Sequence, residues 1–483
     1  VHAIEKPEGL TLYLFRTYAA GGCLLLYIIF IGTTMKGDLT TGKESRKILR
    51  FALPMLLGNV FQQLYNVVDT IIVGKYIGKE ALAAVGASFP VIFVLVSLLI
   101  GVSTGITILI SQYYGAGKFD NVKRSITTMF SFVMASAIVL GGLGVYFSEE
   151  IFMLIKLPAE VVPQASAYFS VFSAGMIFMF GFNVTSAVLR GLGDSRTPLV
   201  FLMISTLANI LLDLLFVVSF DMGVRGAALA TVVSQGGVFL MAVGYLNRTH
   251  EIISFRLRHW VFDTGILIQG LRIGLPSGFQ HTFVALGMMA LFRIVNDFGT
   301  DTVAAYSAAV RLDSFAGMPA MSLSAALSTF VGQNLGANKP HRVRKGLYAT
   351  WIMAVIVSLI ISLVVILFGR NLMSVFTSDR NVIDIGASYL VIVGAFYVVF
   401  SSMFINQAVL KGAGDTMTSM IITLFSLWIL RIPLSYLLSR EPVGLGAQGI
   451  WWGIPLAWIF GFLFSFIYYK TGRWKRKVVV GKR

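Results

Sequence analysis

The sequence predicts an all-α polytopic membrane protein: twelve transmembrane helices in two pseudo-symmetric six-helix lobes. Three observations carry that prediction. Apolar runs of about twenty or more residues recur along the whole chain, long enough to cross a bilayer as helices and too uniformly apolar for barrel strands. Of 483 residues, 57% are hydrophobic and 12% charged, with a mean hydropathy of +0.82, whereas a soluble protein is about 25% charged. The chain also repeats itself. SQYYGAGKFDNVKRSI from Ser111 matches GQNLGANKPHRVRKGL from Gly332, and AVLRGLGD from Ala187 matches AVLKGAGD from Ala408, both at a shift of 221 residues. Leu53-Pro54 meets Leu275-Pro276 at nearly the same shift.

Other classes are excluded by what the chain lacks. The net charge of +16 comes from basic residues in short loops, so it reads as membrane topology and not as nucleic-acid binding. A single cysteine, Cys23, forbids an intrachain disulfide and any CxxC metal site. The five histidines (His2, His250, His259, His281, His341) form no HExxH pair, and no GxxxxGK[ST] loop is present. Neither an enzyme nor an ATP-driven machine is expected, nor a cofactor or an obligate protein partner.

The elements follow in order. Residues 1–44 are an N-terminal extension and tail. Leu10 to Ile31 is apolar but interrupted by Arg16, and Met35-Lys36-Gly37-Asp38 reads as a natural start. Residues 1–34 are therefore expected to be an over-extended gene start or an extra apolar segment, with a signal peptide or an anchor as alternatives. Twelve spans follow at about 48–74, 81–113, 122–147, 162–190, 197–220, 226–247, 264–298, 301–334, 343–369, 383–410, 416–439 and 447–470. Spans 1–6 make an N-lobe, residues 45–247. A basic linker, 248–262, holds Arg248, Arg256 and Arg258, and spans 7–12 make a C-lobe, 263–470. A basic tail, 471–483, closes the chain. The N-terminal tail, the loops after even-numbered spans and the C-terminal tail carry most of the Lys and Arg, among them Lys118, Lys123, Arg124, Lys339, Arg344, Lys345 and Lys477. The other side holds Glu149, Glu150, Asp221, Asp301 and Asp379. That bias predicts both ends of the twelve-helix unit in the cytoplasm, with the protein multi-pass in the cell inner (plasma) membrane. Two homologous halves around a midplane site are a transporter architecture.

Polar residues within the spans mark that site. Gln62, Tyr65 and Asp69, spaced three then four apart, put an amide, a phenol and a carboxylate on one face of span 1. Asn209 and Asp213 share a face of span 5, Thr231 lies in span 6 and Asn183 midway along span 4. The C-lobe has leucines instead: Leu291 aligns with Asp69, Leu430 with Asn209 and Leu434 with Asp213. The fold repeats and the acids do not, so the fold does not require them. Two carboxylates, amides and a hydroxyl suit Na⁺, and the carboxylates also take protons. The plainer reading is that these side chains tie helices together by hydrogen bonds. Met288, Met289, Phe315, Met318 and Met321 read as a soft cavity wall or as ordinary apolar surface. Arg311, Asp313 and Arg431 read as internal pairs, as side chains that snorkel to an interface, or as substrate contacts. Pro54 removes a backbone donor in span 1 and is a candidate hinge or a static kink.

LPMLLGNVFQQLYNVVDTIIVG, ATVVSQ and the doubled Q-x-x-GA and LRGLGD/LKGAGD loops resemble the multidrug and toxic compound extrusion (MATE) family, prokaryotic branch with an N-lobe cation site. The resemblance covers about 36–470. It implies a secondary active antiporter that exports small amphipathic or cationic drugs in exchange for H⁺ or Na⁺ by alternating access. It implies cation coupling at Asp69, Asn209, Asp213 and Thr231, which would also hold Na⁺, with Tyr65 beside them. It places drug contacts at Gln62 and Asn183; Tyr65, Met288, Met318 and Arg431 complete the expected substrate-binding set. Span 7 offers Gln280 and His281 where the family's other branch has a glutamate. The alternative is a flippase for lipid-linked precursors from the same superfamily, which would need a cation-rich cavity.

Overall fold

The computed structural model describes residues 37–249, 261–441 and 443–480. The expectation for residues 1–34 and most of the linker lie outside these residues. Among the described residues every regular element is helical. Span 1 is Glu44–Ile72, continued by a π-helical turn, Val73–Ile77. Spans 2 and 3 are Lys79–Gly115 and Phe119–Tyr146. Span 4 is the pair Val162–Ala174 and Met176–Gly191. Span 5 is Arg196–Asp213 followed by a π turn, Leu214–Ser219, and span 6 is Gly223–Thr249. The C-lobe repeats the order as Thr264–Asn296, Thr300–Gly336, Pro340–Ser374, Arg380–Gly394 with Tyr397–Gly412, Thr416–Ser439 and Ala447–Thr471.

Nine single helices among the described residues are long and apolar enough to cross a bilayer, and eleven spans are when each of two bent pairs is taken as one. Span 1 is the twelfth. Its length suffices, but Asn59, Gln62, Gln63, Asn66 and Asp69 make it too polar for the same test. A helix so marked needs a polar surface inside the protein.

Spans 4 and 10, each expected as one span, are bent pairs of helices, with angles of 50° and 48°. The breaks fall at Gly175 and at Ala395-Phe396, one repeat length apart. At Gly175 a side chain would strike Val232 of span 6, so the glycine lets the helix swing against its neighbour.

The two lobes meet in the half of the molecule that carries the basic loops. Spans 2 and 7 cross with backbone against backbone: a Cβ on Gly105 would lie 2.6 Å from the Gly270 carbonyl oxygen and 2.9 Å from Gly274 Cα. Close approach through small residues is how helices pack without a hydrophobic driving force. Ser97 and Thr282 hydroxyls bond across the same crossing at 2.6 Å, and Asn59 of span 1 donates to Ser322 of span 8 at 3.1 Å.

The repeated loop motifs complete this closure with pseudo-twofold symmetry. Gln112 Nε2 donates to the Gly412 carbonyl at 2.9 Å, while Gln333 Nε2 donates to the Gly191 carbonyl at 3.1 Å. Each glutamine thus reaches the glycine loop of the opposite lobe. Segments outside the helical spans cover both. The Leu39 amide donates to Gln333 Oε1 at 2.9 Å, and the Val479 amide to Gln112 Oε1 at 2.8 Å. Arg342 fixes the entering segment through Glu44 at 3.0 Å and the Gly42 carbonyl at 2.8 Å.

Candidate cation-coupling site

Spans 1, 5 and 6 bring four oxygen-bearing side chains of the N-lobe together. The Tyr65 hydroxyl bonds Thr231 Oγ1 at 3.0 Å. Asn209 lies between Thr231 and Asp213. With its amide oriented to satisfy both neighbours, it donates to Asp213 Oδ2 at 3.0 Å and accepts from the Thr231 backbone N–H at 3.1 Å. Asp213 is 0% and Asn209 1% exposed. Asp213 Oδ1 is buried with no hydrogen-bond partner. Asp69, one turn beyond Tyr65 on span 1, is half-buried, and its charge is felt by both Asp213 and Tyr65.

Local helix geometry positions these groups. Asp213 is the last α-helical residue of span 5 before the π turn, and Asp69 sits one turn before the π turn of span 1. An inserted π turn rotates the following residues and loosens the backbone ladder, and such turns concentrate at functional positions. The cluster offers carboxylate, carbonyl and hydroxyl oxygens, the donor set that hard cations accept. Among the described residues no group of three or more His, Cys, Asp or Glu could hold a metal ion.

The other expected site residues divide. Gln62 is exposed on the Tyr65–Asp69 face. Asn183 is half-buried, and its amide donates to its own helix at Met179 O, 2.9 Å away. Met288 is 42% exposed while Met318 is 8% exposed, so the two do not form one continuous wall here. Pro54 is buried inside an unbroken helix.

Arg431 belongs to a separate polar centre in the C-lobe. It ends the π turn Phe425–Arg431, its Nε has no hydrogen-bond partner, and its charge reaches Asp313 and Tyr306. Tyr389 donates to Asp313 at 3.4 Å, and Tyr306 stacks on Trp451 with ring centroids 5.5 Å apart. Leu291, aligned with Asp69, is fully buried in this aromatic core. Gln280 donates to Thr423 at 2.6 Å and joins Gln407 in tying spans 7, 10 and 11.

Tyr168 of span 4 is the residue that the sequence reading missed. It is buried beside the cluster and feels Asp69, Tyr65 and Asp213. No spacing within span 4 points to it, because the bend at Gly175 decides which part of that helix faces span 1.

Tyr65 allows a direct check. Tyr65→Ala removes the bond to Thr231 and is expected to weaken substrate binding about tenfold, equivalent to 1.4 kcal/mol. Val68 packs against the neighbouring apolar cluster, and Val68→Ala is expected to change binding by less than about twofold. Equal losses in a binding titration would make the Tyr65 face a packing surface.

Two helical lobes related by an internal repeat, with an acidic cluster in the first, have the architecture of a membrane transporter. The family model MatE matches residues 54–215 and again 276–437, once in each lobe. The chain belongs to the MatE family. It is 32% identical over 441 residues to the probable multidrug resistance protein YpnP of Bacillus subtilis, covering 91% of this chain and 97% of that protein. The probable multidrug resistance protein NorM of Thermotoga maritima is 28% identical, with 90% and 94% covered. A FAD transporter of Shewanella oneidensis is 26% identical, with 85% and 91% covered. Among solved structures, a MATE crystal structure in the straight conformation superposes with a TM-score of 0.86 at 25% identity, covering 92% of this chain and 99% of that one.

Proposed function

We propose that the protein is a secondary active multidrug efflux transporter, exchanging small amphipathic or cationic organic compounds for inward-moving H⁺ or Na⁺ by alternating access. The observation that carries this reading is the Asp69–Asp213 pair grouped with Asn209, Thr231 and Tyr65 in one lobe, where the other lobe has leucines in place of Asp69, Asn209 and Asp213. A buried carboxylate beside a second carboxylate is costly unless a proton or cation neutralises it. A bound cation and a cationic drug then oppose one another, and whichever cation weakens drug binding is displaced by drug in turn. The relatives named for multidrug resistance support the substrate class.

The test is efflux from proteoliposomes with the pH and Na⁺ gradients imposed separately. A fluorescent cationic dye is the first cargo, and FAD, named for the Shewanella relative, is the competing one. Dye movement driven by one gradient is expected; dye movement indifferent to both gradients would overturn the coupling. In the flippase alternative, a lipid pyrophosphate needs a cluster of cations, whereas Arg431 shares its surroundings with Asp313.

The charge bias sets the orientation of this cycle: both ends of the described chain face the cytoplasm of a plasma-membrane protein. In a Cys23→Ser background, Lys345→Cys and Asp301→Cys are expected to label from opposite sides. Labelling of both from outside would reject the orientation.

A further inference from the structure

A cleft of about 190 Å³ opens on the basic face between span 7, the start of span 11 and the C-terminal tail, lined among others by Gln269, Arg272, Asp415, Met417, Lys477 and Val479. That is many times the space that one water needs, enough for a phosphate and part of its ester linkage. Arg272 and Lys477 are exposed. Asp415, the acid in the lining, is 3% exposed, and its two oxygens accept from Thr418 at 2.8 Å and Tyr468 at 2.6 Å. Gln269 Oε1 accepts from the Tyr113 hydroxyl at 2.9 Å, which leaves its amide N–H groups as the unspent part. The cleft therefore offers donors and positive charge.

Its surroundings are those of a lipid. Arg272 lies about two turns into span 7, on one stripe with Ile268, Leu275 and Phe279, which are 61%, 38% and 46% exposed. Met417 and Ile421 form a second apolar track at the start of span 11, 52% and 55% exposed. A cation within an outward apolar stripe reaches to the headgroup level and pairs there, and basic pockets between helices on the cytoplasmic side suit anionic headgroups.

The far wall of the cleft is the tail itself. The Lys477 carbonyl lies against Gly414. Two residues on, the Val479 amide bonds Gln112 of the opposite lobe, and Val479 and Val480 pack on the N-lobe core. The tail begins in the C-lobe and ends on the N-lobe, so whatever grips Lys477 also steadies the lobe closure.

We propose that this cleft binds the phosphate of an anionic phospholipid from the leaflet on the basic face, between Arg272 and Lys477, and that its occupancy holds the C-terminal tail across the two lobes.

The experiment is hydrogen–deuterium exchange of the Val479 amide in the full-length protein, in nanodiscs of phosphatidylcholine alone or mixed with phosphatidylglycerol. Phosphatidylglycerol is expected to slow exchange about fivefold, the shift for a lipid several times above its Kd. Arg272→Gln with Lys477→Gln is expected to abolish that difference. Both side chains are exposed, so the fold survives. Lys123→Gln with Lys345→Gln, exposed basic residues elsewhere on this face, is expected to keep it. Millimolar inorganic phosphate in phosphatidylcholine discs is expected to do nothing. No lipid effect in the wild type, an undiminished effect in the first double variant, loss of the effect in the second, or the same protection from free phosphate would each overturn the proposal.

Discussion

Asp213→Asn is expected to reduce gradient-driven efflux about a hundredfold, to the leak rate, while leaving a folded protein that still binds an uncharged ligand. Asparagine keeps the volume of the side chain and an oxygen for the Asn209 amide, which donates to Asp213 at 3.0 Å. What it removes is the charge. Asp213 is fully buried with one oxygen unpartnered, and the charge that reaches it is a second acid, Asp69. A site built this way is expected to be neutralised by a cation that arrives along the transport path. A membrane potential favours that arrival by about 2.3 kcal/mol per charge per 100 mV. The permanently neutral variant mimics the loaded state and cannot respond to either gradient. The measurement is the dye-efflux rate in proteoliposomes at several imposed pH and Na⁺ differences. Wild-type rates with unchanged dependence on both would remove Asp213 from the mechanism.

Gly105→Ala is the second large effect, and it acts far from the acids. The added methyl would meet Gly270 O and the Gly274 backbone at 2.6 to 2.9 Å, and backbone cannot rotate away as a side chain does. Overpacking of this kind costs about 1–3 kcal/mol, which shifts a two-state equilibrium roughly 5–150-fold. The closed arrangement of the basic face should lose that population. Its reporter is a disulfide between Ser97→Cys and Thr282→Cys, whose hydroxyls are 2.6 Å apart, formed in a Cys23→Ser background. Cross-linking is expected to fall at least about fivefold and efflux with it. Gly86→Ala, where a methyl meets nothing within 4 Å, is the control and should leave both unchanged. Normal cross-linking in Gly105→Ala would show that the lobes do not separate along spans 2 and 7.

The architecture was largely legible in the sequence because its signals are periodic and local. The 221-residue register announced two lobes, and the family model matches each lobe separately. Asp69, Asn209, Asp213 and Thr231 could be grouped because acids and amides are conspicuous in apolar runs. The structure brings Asn209, Asp213 and Thr231 into hydrogen-bonding contact, with Tyr65 and Asp69 beside them. Other facts depend on orientation about a helix axis and could not be read. Asn183 turned back onto its own backbone, and Met318 turned inward while Met288 turned outward. The bends in spans 4 and 10 fall within continuous apolar runs, and no break in hydropathy marks them. The loop glutamines were visible as a repeat, but their work is done on the opposite copy of the repeat, 300 residues away for Gln112 and 142 for Gln333.

The glycine crossing of spans 2 and 7 has a kinetic meaning. A seam built from leucines must freeze each side chain on closing and release it on opening, at about 0.5–1 kcal/mol of rotamer entropy apiece. Gly101, Gly105, Gly270, Gly274 and Gly278 have no rotamers to lose. Their backbones are held in the helices of spans 2 and 7. A seam of this kind forms and parts with little ordering cost in either direction.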